Sequence, residues 1–146
     1  MQCSSVMVID SETRALSFIE GVGEGAHKCA GICAGPDGLL YCAPRNASSV
    51  LVIDPGTSTL SFIDGAGEGD MKYQDICVGP DGLLCCSPLN ASSVLVIDPR
   101  TRMLSFIEGV GEGACKYVGI CVDPDELLYC APCVALSGMV IDPRSE

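Results

Sequence analysis

Short apolar runs, each stopped by Pro, Gly or Asp, recur along the whole chain. Val50 to Asp54 is rich in β-branched residues, which suit a pleated strand, and it stops at Pro55, which has no N–H to give a ladder. Leu60 to Asp64 follows after the turn-forming Pro55-Gly56-Thr57-Ser58. A glycine-rich loop then leads to Asp75 to Gly79, the tight turn Pro80-Asp81-Gly82, and Leu83 to Ser87 before Pro88. Gly82 can take a positive φ there at little steric cost. No stretch shows helical periodicity over a useful length, so the pattern predicts four short strands per unit and an all-β fold.

The unit repeats every 44 residues without insertion or deletion. Val8-Ile9-Asp10, Val52-Ile53-Asp54, Val96-Ile97-Asp98 and Val140-Ile141-Asp142 keep that spacing. So do Gly23-Glu24-Gly25, Gly67-Glu68-Gly69 and Gly111-Glu112-Gly113. The repeats run over about residues 3–46, 47–90 and 91–134, with a partial copy at 135–146, all in one domain. A period of this length with four strands per copy is the pattern of a β-propeller blade.

The run from Leu40 through Asn46-Ala47-Ser48-Ser49 to Val52-Ile53-Asp54, with Pro36-Asp37-Gly38 and Pro80-Asp81-Gly82, resembles the YVTN and NHL class of propeller repeats. That resemblance implies that the strand before Pro-Asp-Gly is innermost, here Gly31 to Gly35, Asp75 to Gly79 and Gly119 to Asp123. The chain then begins with two outer strands of one blade and ends with three inner strands of another. Thirteen strands are expected: three four-stranded antiparallel blades plus one surplus strand. Closed propellers use ~4–8 blades, so three form an open array unless oligomerisation or missing repeats complete it. The class includes adhesive, scaffolding and enzymatic proteins, so the resemblance speaks for fold and not for function.

Composition narrows the partners. Nineteen acidic residues against eight basic give a formal charge of −11. A surface that acidic repels phosphate backbones, so nucleic acid is not an expected partner. No apolar run is long enough for a membrane-spanning helix. No signal peptide is visible at the start, Met1-Gln2-Cys3-Ser4-Ser5, which favours a cytoplasmic location. Eleven cysteines would suit a secreted disulfide scaffold, but most fall inside strand segments, and reduced thiols are the expectation.

Cys33, Cys77 and Cys121 share one repeat position, and Cys42, Cys86 and Cys130 another. Cys29 with Cys33, and Cys130 with Cys133, approach metal-ligand spacing, yet Tyr73 and Leu89 take the places of Cys29 and Cys133 in the middle repeat. Cysteine as a small buried apolar residue is the reading preferred here. Glu24, Glu68 and Glu112 lie on equivalent loops and are weak candidates for a hard-cation site, with Asp75 a fourth. Lys28, Lys72 and Lys116 follow each Glu at one spacing, so a local Glu–Lys pair is the plainer expectation. Asp75 breaks the repeat where the other copies carry Gly31 and Gly119. Glu126 stands where the others carry Gly38 and Gly82, at a position expected to be left-handed. Asn46-Ala47-Ser48 and Asn90-Ala91-Ser92 match a glycosylation pattern but read as turns in which Asn bonds its own backbone. The single histidine, His27, reads as a loop residue.

No catalytic residue and no cofactor site is legible. The leading functional expectation is a non-catalytic interaction or scaffold module, homo-oligomeric (a dimer most simply) or joined to further repeats, with a protein as possible partner. The alternatives are a lyase- or hydrolase-type propeller enzyme with its site in the central channel, and a fragment of a longer propeller with no independent function.

Overall fold

The computed structural model describes residues 4–143, so Cys3 and the residues after Pro143 lie outside it. Thirteen strands and no helix occur among the described residues. They are β1 (Ser5–Ile9), β2 (Leu16–Glu20), β3 (Cys29–Ala34), β4 (Leu40–Pro44), β5 (Ser49–Asp54), β6 (Thr59–Asp64) and β7 (Tyr73–Val78). The rest are β8 (Leu84–Pro88), β9 (Ser93–Asp98), β10 (Met103–Glu108), β11 (Tyr117–Val122), β12 (Leu128–Pro132) and β13 (Met139–Ile141). Every pairing is antiparallel between sequence neighbours, giving a hairpin β1–β2, four-stranded sheets β3–β6 and β7–β10, and a three-stranded sheet β11–β13. The array is open, two strands at one end and three at the other.

Apart from the hairpin β1–β2, each sheet starts with an inner strand, and β7 packs against both β3 and β11. The inner strands begin two residues before the expected Gly31, Asp75 and Gly119 and end one residue earlier. A register shift causes this: Cys29 pairs with Pro44 and Ile32 with Cys42, so the chain is paired on both sides of a bulge. The same shift recurs between Tyr73 and Ile76 and between Tyr117 and Gly119.

The recurrent aspartates close the turns. Asp10, Asp54 and Asp98 each accept through Oδ1 from the N–H two residues on, at 2.9, 2.9 and 3.0 Å. Asp37 and Asp81 do the same for Leu39 and Leu83 at 3.1 Å. Glu126 has φ of 72°, beside 86° and 85° at Gly38 and Gly82, as its place in the repeat predicted.

Burial follows position in the array. Sheet β7–β10 lies between two others, so β8 is buried throughout and β9 at all but its last residue. One apolar cluster joins Tyr41 and Val52 to Ile76, Leu84 and Leu95 across the first full junction. A second joins Val94 and Val96 to Ile120, Leu128 and Ile141. A smaller one sets Val6 and Ile19 of the hairpin against Leu51 and Ile53.

Candidate functional site

Two regions gather chemistry-bearing side chains: the loops that enter the inner strands, and the inner strands themselves. In the loops, Gly23 and Gly25, Gly67 and Gly69, and Gly111 and Gly113 all have positive φ, and His27, Met71 and Cys115 follow at 52–53°. This backbone turns loop carbonyls toward the lysine that follows. Lys72 Nζ donates to Ala47 O at 2.7 Å and Gly69 O at 3.1 Å, and Lys116 Nζ to Gly113 O at 2.7 Å. Both lysines are only 6% exposed, so their ammonium groups need these acceptors.

At Lys72 and Lys116 the expected Glu–Lys pair is corrected. Neither Lys72 nor Lys116 forms an ion pair with its Glu, because the carbonyls are nearer and the glutamates point to solvent. Glu68 and Glu112 act only at longer range. Burial lowers the Lys72 pKa, opposed by Glu68 and Asp70, and it lowers the Lys116 pKa, opposed by Glu112. Glu24, Glu68 and Glu112 are all exposed, each on its own loop. Among the described residues no three His, Cys, Asp or Glu side chains stand close enough to hold a metal ion.

Asn46 and Asn90 do something other than the expected turn. Asn46 Oδ1 accepts from Met71 N–H at 2.8 Å, and its Nδ2 donates to Ala26 O at 3.2 Å. Asn90 repeats this with Cys115 N–H at 2.8 Å and Asp70 O at 3.5 Å. Each Asn therefore ties the loop before its own sheet to the loop before the next. Recurrence one loop downstream of each left-handed residue was the available signal; a single unit cannot show a partner that lies in its neighbour.

On the inner strands, Asp75 is half-buried. Its N–H donates to Ser87 Oγ at 3.1 Å and its Oδ1 accepts from Ile76 N–H at 2.9 Å. Ser87 is fully buried and stands where the other copies have Ala43 and Ala131, and its hydroxyl meets the backbone of Asp75, not the carboxylate. The glycines opposite make the space: a Cβ on Gly31 would fall 3.0 Å from Asp75 Cα.

The cysteines do not converge on one point. Cys29 packs with the hairpin-side cluster and Cys33 with the cluster on the other side of its sheet, so the near-motif they form opens onto two different junctions. The ten described cysteines carry free thiols. Burial pushes Cys33 up to about 11 and Cys77 to about 12, with Asp75 adding in both cases. Cys29 is the exception: a hydrogen bond with Cys42 lowers it, and Lys28 and Lys72 assist. It lines a cavity of about 400 Å³ with Val6, His27, Ile32, Cys42 and Ile53, between the hairpin and sheet β3–β6.

No family model matches this chain. No curated protein matches it either. Solved structures do. A streptogramin B lyase superposes with a TM-score of 0.82 at 17% identity, over 98% of this chain and 46% of the lyase. Virginiamycin B lyase from Staphylococcus aureus gives 0.75 at 14% identity, over 94% and 47%. Kuenenia stuttgartiensis hydrazine synthase gives 0.63 at 23%, over 85% and 37%. The chain has a β-propeller fold. It spans about half the length of the lyases it matches, and at these identities the likeness carries the fold alone.

Proposed function

We propose that this chain is a non-catalytic propeller module for interaction or scaffolding, working through the blade faces at the ends of its array. The observation that supports this reading is the exposure of residues that are core elsewhere in the same repeat. Tyr41 is 0% exposed against the next sheet, whereas Tyr129, its equivalent, is 42% exposed at the end of the array. Val8 and Ile32 are likewise open, where their equivalents Val52 and Ile76 are buried. Apolar residues left open at both ends of the array, where their equivalents are core, suit an interaction surface.

The second reading, an enzyme working in the central channel, has the likeness to lyases in its favour. A catalytically inactive variant of virginiamycin B lyase with quinupristin superposes with a TM-score of 0.76. Here the one histidine is exposed on a loop, and Asp75 is tied to its own strand. Incubating the chain with quinupristin and following the compound by liquid chromatography tests the choice. Unchanged compound is expected; conversion that a His27→Ala variant loses would overturn the non-catalytic reading.

A further inference from the structure

We infer that the open ends of the array close on a second copy of this chain, the hairpin β1–β2 of one copy replacing β13 beside β12 of the other. This rests on the docking reading above and gives it a partner.

The faces that would meet are already seen together twice. Tyr41 and Val52 are buried against Ile76 and Leu95 at one junction, and Val94 and Val96 against Ile120 and Ile141 at the next. Two repeats after Tyr41 comes Tyr129, and one repeat before Val52 comes Val8 of β1, both exposed. One repeat before Ile76 comes Ile32, 53% exposed at the mouth of the cavity beside Cys29. The cavity is thus the empty seat of a β4-like strand, and β12 is a β4-like strand with no seat. Their sequences agree: β4 and β12 are both Leu-Tyr-Cys-Ala-Pro.

The exchange of strands follows from a second identity. Met7-Val8-Ile9-Asp10 and Met139-Val140-Ile141-Asp142 are the same four residues, three repeats apart. β13 pairs with β12 through Leu128–Ile141, Tyr129–Val140 and Cys130–Met139. β1 can offer the same register through Ile9, Val8 and Met7, and its edge away from β2 is unpaired. β1 is also the better strand. It has five residues against three, Val6 where β13 is preceded by Gly138, and β2 already paired outside it. The product is a four-stranded sheet, β11 and β12 from one copy with β1 and β2 from the other. Two such sheets and the two complete sheets of each copy make a ring of six, within the ~4–8 blades that close. Adding a strand to a free edge and exchanging like elements between copies are both established modes of association.

Light scattering on the purified chain, with two paired variants, tests this. Twice the 15.1 kDa chain mass is expected. Val8→Asp should give the single-chain mass, because β1 forms the junction. Val140→Asp should stay dimeric, because the displaced β13 does not. Both valines are exposed in the single chain, so circular dichroism should show both variants folded. A 146-residue chain that is monomeric at tens of micromolar overturns the second copy as partner while leaving the docking reading standing. A mass that grows with concentration without a plateau overturns the closed ring. A dimer lost in Val140→Asp and kept in Val8→Asp overturns the displacement.

Discussion

Strands β4 and β12 have one sequence and two environments. In β4, Tyr41 and Ala43 are 0% exposed and the Tyr41 hydroxyl donates to Asp37 Oδ2 at 2.7 Å; in β12, Tyr129 and Ala131 are exposed. Both segments are strands, and both pair with neighbours in the same register. Local sequence therefore suffices for strand and register, because hairpin pairing needs only adjacent segments. Burial is a property of the next sheet over. Where that sheet exists the tyrosine is core; where it is absent the same tyrosine is surface.

The largest expected difference is at this pair. Tyr41→Ala should cost about 3–5 kcal/mol by urea unfolding, as large-to-small core changes do. Tyr129→Ala made in the single-chain Val8→Asp variant should fall within about 0.5 kcal/mol of that variant, as surface changes usually do. In the parent dimer the same change should approach the Tyr41→Ala loss, because β12 is covered there.

Glycines at the axis give the next contrast. A Cβ on Gly31 would meet Asp75 Cα at 3.0 Å and Gln74 O at 3.3 Å, whereas one on Gly119 meets nothing nearer than 4.0 Å. Gly31→Ala should destabilise by about 1–3 kcal/mol, because backbone cannot yield as a side-chain tip can. Gly119→Ala should be close to neutral. Thermal unfolding of the two variants side by side measures the difference.

Asn90 and Val134 occupy the same loop position one repeat apart, and only Asn90 reaches the next sheet. Asn90→Ala leaves the part-buried Cys115 N–H without its acceptor and should cost about 1–2 kcal/mol in urea. Val134, 66% exposed, should tolerate alanine without measurable change.

The smallest effect is in the thiols. Cys121 and Cys133 are exposed in the single chain while Cys86 is fully buried, so alkylation of the Val8→Asp variant should mark the first two and spare the third. Cys33, Cys77, Cys85 and Cys130 have folded pKa values raised to about 11 or 12, chiefly by burial. Above pH 9 the unfolded chain loses thiol protons that the folded one keeps, so stability falls as pH rises toward those values. Lys72 and Lys116, lowered by burial, act in the opposite sense but are fewer. A melting temperature that is flat or rising from pH 9 to 11 would contradict this balance.

The thirteen strands, their order and the turns between them were readable from the repeat, because each rests on a few neighbouring residues. β-branched runs, Pro stops and Asp-closed turns act within one hairpin. Even the left-handed backbone at Glu126 could be taken from the glycines that share its place. The inner-strand bulges could not, since they depend on how Cys29 and Tyr73 pair with Pro44 and Pro88.

Repetition by itself determined the blade. Only the tertiary structure decided what each copy of a residue does, because the partners lie in the neighbouring copy. The Asn46 side chain satisfies Met71 of the next sheet, not its own turn. Lys72 spends its charge on carbonyls brought to it by two loops, not on the Glu beside it in sequence. Equivalent glutamates stay apart on separate loops, because repeating a position places it on successive blades and does not gather it at one point. A periodic chain encodes one set of local interactions many times. The number of neighbours each copy meets depends on its place in the array, and there the middle sheet and the end sheets part.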